Sequence, residues 1–186
     1  MKKFLFLFFI FINSANADYL DYIFKDRGNS YNSFGQTGLI QLPSAETNGN
    51  SSIFFTYNRT EFWKLGSLTV TPFDWLEASY FYYRPDDLLW GNAEGLYLDK
   101  GFNAKFSYKP PGFNSPTLAI GLDDIAGTGQ FTREYIVATH NTNFFKLTYG
   151  LGWGKYVGEK SFSNPIGKLI DEFKKRPGSV SNYGRG

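Results

Sequence analysis

From Asn50 onward, apolar and polar residues alternate with a period of two, in segments of about ten residues set apart by turn formers. Ile53, Phe55 and Tyr57 share one side of the first segment, opposite Ser52, Thr56 and Asn58, with Phe54 out of phase. In the second, Leu68 and Val70 oppose Ser67, Thr69 and Thr71. In the third, Leu76, Ala78, Tyr80 and Tyr82 oppose Glu77, Ser79 and Phe81. The fourth is the most regular, with Phe102, Ala104, Phe106 and Tyr108 opposite Asn103, Lys105, Ser107 and Lys109. Leu118, Ile120 and Leu122 oppose Thr117, Ala119, Gly121 and Asp123 in the fifth. The sixth, from Thr132 to His140, has an ambiguous phase. In the seventh, Phe145, Leu147, Tyr149, Leu151 and Trp153 oppose Lys146, Thr148, Gly150 and Gly152. Such alternation predicts an all-β antiparallel meander.

Two architectures share this pattern. A soluble sandwich or barrel buries the apolar face. An outer-membrane barrel turns it to lipid and keeps the polar face for its lumen. The polar face here is rich in Gly, Ser, Thr, Asn and Lys, and the apolar face carries Tyr57, Tyr82, Tyr108 and Trp153 near strand ends. Both features fit the transmembrane barrel, whose strands of about ten residues cross at a tilt. A Lys105 facing lipid at mid-depth costs about 2–4 kcal/mol, which fixes the phase. Connections alternate in length. Pro72 to Asp74, Pro110 to Pro116 and Asn141 to Asn143 are turn-rich and short, whereas two of the four connections at the other end, Arg84 to Lys100 and everything after Lys155, run longer than Arg59 to Glu61 and Ile125 to Phe131. Short periplasmic turns and long outer loops have this form.

Gly38 to Leu42 is a possible eighth strand, cut by Pro43. After Lys155 the alternation stops, and Ile166, Leu169, Ile170 and Phe173 recur at the spacing of a short amphipathic helix, ended by Pro177 and Gly178. The expectation is an incomplete barrel of seven or eight strands, the front part of a larger protein, needing more strands or a second chain because open edges are not tolerated in lipid, with a complete small barrel and a disordered tail as the alternative. The expected organisation is a signal peptide over 1–17, a periplasmic segment over 18–37, barrel strands over 38–154, and a truncated loop with a short helix over 155–186.

The signal peptide is read from Lys2 and Lys3, nine apolar residues from Phe4 to Ile12, and Ala15-Asn16-Ala17. Nine residues are about half a membrane-spanning helix. Export with cleavage before Asp18 leads to a bacterial periplasm, outer membrane or exterior, and the barrel pattern selects the outer membrane and its lipid. Removing Lys2 and Lys3 from 19 basic residues leaves 17 against 17 acidic ones, which argues against nucleic-acid binding. The 20 Phe and 13 Tyr favour strands over a helical bundle. Cysteine is absent and there is one His, which removes disulfides, Cys nucleophiles, a lipidated Cys and most metal sites from these 186 residues.

No catalytic, metal or cofactor site is predicted. Asp123 and Asp124 are adjacent, and strand neighbours face opposite sides. His140 reads as an ordinary histidine, and Gly127-Thr128-Gly129 as a tight loop. Candidate lumen and polysaccharide contacts are Glu77, Lys105, Lys109, Asp123 and Glu134, with polar filling as the plainer reading. Trp90 and Tyr97, in the long connection, are candidates for stacking on sugar rings.

Several ordered motifs carry a family resemblance. They are Gly38-Leu39-Ile40-Gln41-Leu42-Pro43-Ser44-Ala45, then Leu68 to Ala78 with Pro72-Phe73-Asp74-Trp75-Leu76-Glu77, then Asp99-Lys100-Gly101-Phe102-Asn103-Ala104-Lys105-Phe106. Leu118 to Phe131, Glu134 to Ala138, Leu151-Gly152-Trp153-Gly154, Asn164-Pro165 and Phe173 to Pro177 follow. Over residues 35–186 the chain resembles the YjbH-like exopolysaccharide-biosynthesis proteins. The resemblance implies a role in making or exporting extracellular polysaccharide at the outer membrane, beside other secretion proteins, and implies no enzyme. A general porin or structural barrel, and a secreted soluble glycan-binding β-domain, are the competing readings.

Overall fold

The computed structural model describes residues 29–86, 97–112, 115–127, 129, 131–157 and 163–171. The expected signal peptide, Trp90 and Phe173 lie outside them. A two-residue hairpin, β1 (Gly38–Leu39) and β2 (Leu42–Pro43), precedes seven longer strands. These are β3 (Ser52–Arg59), β4 (Trp63–Phe73), β5 (Leu76–Pro85), β6 (Asp99–Tyr108), β7 (Thr117–Asp123), β8 (Arg133–Asn141) and β9 (Lys146–Trp153). Each pairs antiparallel with its sequence neighbour, so the sheet runs β3-β4-β5-β6-β7-β8-β9 and is open at β3 and β9. The one register irregularity falls between Val70 and Phe73, at Pro72, which has no amide hydrogen for the ladder.

The faces of this sheet are inverted relative to a soluble fold. Ile53, Phe102 and Ile120 on the apolar face are 68%, 51% and 49% exposed. The polar face is covered: Ser67, Thr69, Thr71, Glu77, Ser79, Asn103, Lys105 and Asp123 are all buried. Aromatic rings line the short-turn end of the exposed face. Phe73 stacks on Trp75 (5.3 Å between centroids, 4° between planes), and Trp75 on Phe106 (6.2 Å, 16°). Among the described residues, no helix is long and apolar enough to cross a membrane.

What covers the polar face is the segment 29–47, here called the strap. Gly38 to Leu42 is therefore no eighth barrel strand; it folds back as β1-β2 in a sheet of its own. Asn32, Gln36, Thr37 and Ala45 are buried against the wall. Gly35 permits the closest approach. Its φ is +79°, and a Cβ there would meet Ser67 Oγ at 1.6 Å and Thr56 Oγ1 at 2.6 Å. The strap also explains the phase breaks. Phe54, on the polar side of β3, packs on Tyr31 with centroids 4.2 Å apart. Val137, on the same side of β8, joins Ala45, Ala119 and Tyr135 in one apolar cluster. Tyr135 lies over Gly121, its cross-strand partner, where a Cβ would meet the ring at 2.0 Å.

The predicted C-terminal amphipathic helix is not formed in the described residues. Ile166–Lys168 is a single 3-10 turn capped by Pro165, and Leu169 and Ile170 are exposed. One local cause stands out: Gly167 in the turn is a poor helix former, although Asn164 Oδ1 accepts from the Ile166 N–H as at a helix start while its Nδ2 donates to Glu134.

Candidate functional site: the charged wall beneath the strap

The register of the sheet sets opposite charges side by side. Glu77 on β5 is the direct partner of Lys105 on β6, and Asp123 on β7 that of Arg133 on β8. Lys105 Nζ lies 2.9 Å from Glu77 Oε1, with both side chains essentially inaccessible. Arg133 grips Asp123 Oδ2 twice, through Nη2 at 2.6 Å and Nε at 2.8 Å. Burying four charges is costly unless each is paired and hydrogen-bonded. The strap supplies the additional partners. Thr37 donates its backbone N–H to Glu77 Oε1 (3.0 Å) and its hydroxyl to Oε2 (2.6 Å), and Lys105 donates to the same threonine. Gln36 Nε2 donates to Asp123 Oδ1 at 2.7 Å. Arg133 Nη1 donates to the Gln41 carbonyl at 3.0 Å.

Neutral contacts extend the seam across the sheet. Asn58 Nδ2 donates to the Ser33 carbonyl (3.0 Å), and Thr69 Oγ1 to that of Gly35 (2.8 Å). Ala45 is held at both ends: its N–H donates to Thr139 Oγ1 at 2.8 Å, and its carbonyl accepts from Ser107 Oγ. At the rim, Lys146 pairs with Glu46 at 2.5 Å.

Glu77, Lys105 and Asp123 thus share the buried polar face of the sheet. Two candidates lie elsewhere. Lys109 follows the end of β6, is exposed, and donates to the Ser115 carbonyl at 2.6 Å. Glu134 shares the outward face with its cross-strand partners Leu122 and Trp153, and is buried there beside Asn164. Its outward position follows from Arg133, whose pairing with Asp123 puts Arg133 on the wall and so fixes the phase that the sequence leaves open. Tyr97 is buried at 3% exposure, so it presents no ring for stacking. Trp90 lies outside the described residues. Arg133, Gln36, Thr37, Thr139 and Ala45 are site residues that sequence reasoning missed.

Asp124 follows β7 with φ +57° and folds into the loop toward Phe131, whose N–H donates to its Oδ2 at 3.1 Å. Burial pushes its carboxyl up to about 6, with Asp99 adding repulsion and the Phe131 N–H opposing. A carboxyl raised above its ordinary 3.8 favours the folded state when protonated. That stabilisation is complete below about pH 4 and is lost as pH climbs through about 6. Asp124→Asn is expected to flatten this dependence and leave the fold intact, since asparagine tolerates the left-handed conformation well. Urea midpoints measured from about pH 4 to pH 7 check it; an unchanged slope would sink the assignment.

The fold and wall define a polar-faced, apolar-backed β-sheet protein. The chain belongs to the family described as exopolysaccharide biosynthesis protein YbjH, whose model matches residues 30–185. It is similar to the uncharacterized lipoprotein YjbH of Escherichia coli (strain K12), at 30% identity over 162 residues. The match takes in 84% of this chain and 23% of that protein, so the chain spans about a quarter of its relative's length. The acylated cysteine of a lipoprotein is not among these 186 residues. No solved structure matches the chain.

Proposed function

We propose that the chain forms part of an outer-membrane β-barrel that serves the production or export of extracellular polysaccharide without catalysing a reaction. The observation that carries this reading is the inversion of the sheet: from β3 to β9 large apolar side chains such as Ile53, Phe102, Ile120 and Leu151 are exposed on its outer face, while charged and hydroxyl groups are buried on the other. In water such a face is a large aggregation-prone patch, whereas lipid solvates it. The aromatic stack at the short-turn end suits a membrane interface. The open edges at β3 and β9 call for further strands, from elsewhere in a longer protein or from a second chain. In this reading Glu77, Lys105 and Asp123 belong to the lumen wall and offer hydrogen bonds to a hydroxyl-rich polymer, with other secretion proteins as neighbours.

Fractionation of the native cells, combined with gel mobility before and after boiling, tests location. The expected result is an outer-membrane protein whose folded form shifts on heating. A soluble periplasmic protein without a shift would leave the glycan-binding β-domain as the better reading. Polysaccharide output in a deletion strain tests the role. Wild-type output there, with the membrane location intact, would favour a general porin or structural barrel.

A further inference from the structure

We infer that residues 29–47 are a displaceable strap, which occludes the polymer-contacting wall and swings away from it about Gly49–Ser51 to admit the polysaccharide. The inference rests on the export reading above and adds its regulation. Four observations support it.

First, no strap residue enters the ladder of β3 to β9, so its departure breaks no strand pairing. Second, the wall balances its own charge. Glu77 pairs with Lys105 and Asp123 with Arg133 between neighbouring strands, and both pairs survive when the strap leaves. Third, the apolar hold is small. Phe34, Pro43 and Ala45 are the buried apolar residues the strap contributes, with Tyr31 packed on Phe54 beside them; its other anchors are the rim ion pair of Glu46 with Lys146 and hydrogen bonds that water can replace. Fourth, the join to β3 has the form of a hinge. Gly49 and Ser51 both have left-handed backbones, at φ +82° and +59°, and a Cβ on Gly49 would touch nothing within 4 Å. At the hairpin corner the β-branched Ile40 sits at φ +55° and is 83% exposed, a strained conformation of the kind found where segments switch.

These 186 residues hold no cysteine, so a pair introduced here meets no competing thiol among them. Ala45→Cys with Thr139→Cys joins two contacting residues, strap to β8. In the native gene, the oxidised lock is expected to lower polysaccharide output to the level of the deletion strain, and a reductant to restore it. Full output from a fully crosslinked population would overturn the inference. If that pair fails to fold, Ala45→Cys with Ser107→Cys repeats the lock from β6. A second measurement is independent of export. Thr139→Cys alone is buried under the strap, so an impermeant maleimide is expected to label it slowly, and faster when Gly35→Ala lifts the strap. No labelling in either background would show a fixed plug and sink the idea. Should the unlocked parent fail to restore output in the deletion strain, the export reading fails instead, and labelling still reports whether the strap moves.

Discussion

Lys105→Met will destabilise the folded protein by about 3–5 kcal/mol, the cost of leaving a buried carboxylate without its counter-charge. Lys105 and Glu77 are 0% and 1% exposed, so water does not reach the orphaned Glu77. The two N–H and O–H donors of Thr37 remain, but neither carries charge. Adding Glu77→Leu to Lys105→Met is expected to recover most of the loss, because an apolar pair of similar volume often matches a buried ion pair in stability. The comparison is read from urea unfolding of the single and double variants. A Lys105→Met variant as stable as the parent would mean that the strap admits water to the wall. The size of the effect follows from position: the same pair at the rim, like Lys146 with Glu46, is worth about 1 kcal/mol or less.

Ile120→Lys is the second large effect, and its sign separates lipid from water outside the sheet. Ile120 is central on β7, flanked across the strands by Phe106 and Ile136. If its face meets the membrane, lysine at mid-depth costs about 2–4 kcal/mol. If it meets water, a 49% exposed side chain changes stability by about 0.5 kcal/mol or less. Phe145→Lys, at the turn end, serves as the control with an expected cost of about 0–1 kcal/mol even in a membrane. The fraction of heat-modifiable folded protein in bilayers against urea gives the answer. Equal, small losses at both positions would remove the lipid-facing assignment.

Strand phase was legible in the sequence because it depends on the nearest neighbours along the chain. Leu68 against Thr69, or Phe106 against Lys105, needs no knowledge of the rest of the molecule. The strap was not legible, because it is irregular backbone held by distant partners: Thr37 meets Glu77, and Ala45 meets Thr139. Two residues hinted at it. Phe54 and Val137 stand on the polar side of their strands, and each marks a place where another apolar group must lie. Glu134 misled for a related reason. With apolar residues on both sides of β8, only the Asp123–Arg133 register fixes the phase, and register is a property of two strands together. The motif Gly38 to Ala45, met as a family resemblance, is the part of the strap that turns back across the wall. Within the described residues after Asn164 the expected helix is a single 3-10 turn, and spacing alone ignores the Gly167 in it.

The open sheet carries one more consequence, a matter of direction. Counting β3 as up, every second strand is also up, and so is β9. The two free edges therefore point the same way. Brought together directly they make a parallel seam, with slanted hydrogen bonds unlike any other in the sheet. A ring closed by antiparallel pairing throughout takes an odd number of additional strands, whichever chain contributes them. A single hairpin, adding two, leaves the seam parallel; one strand or three make it antiparallel.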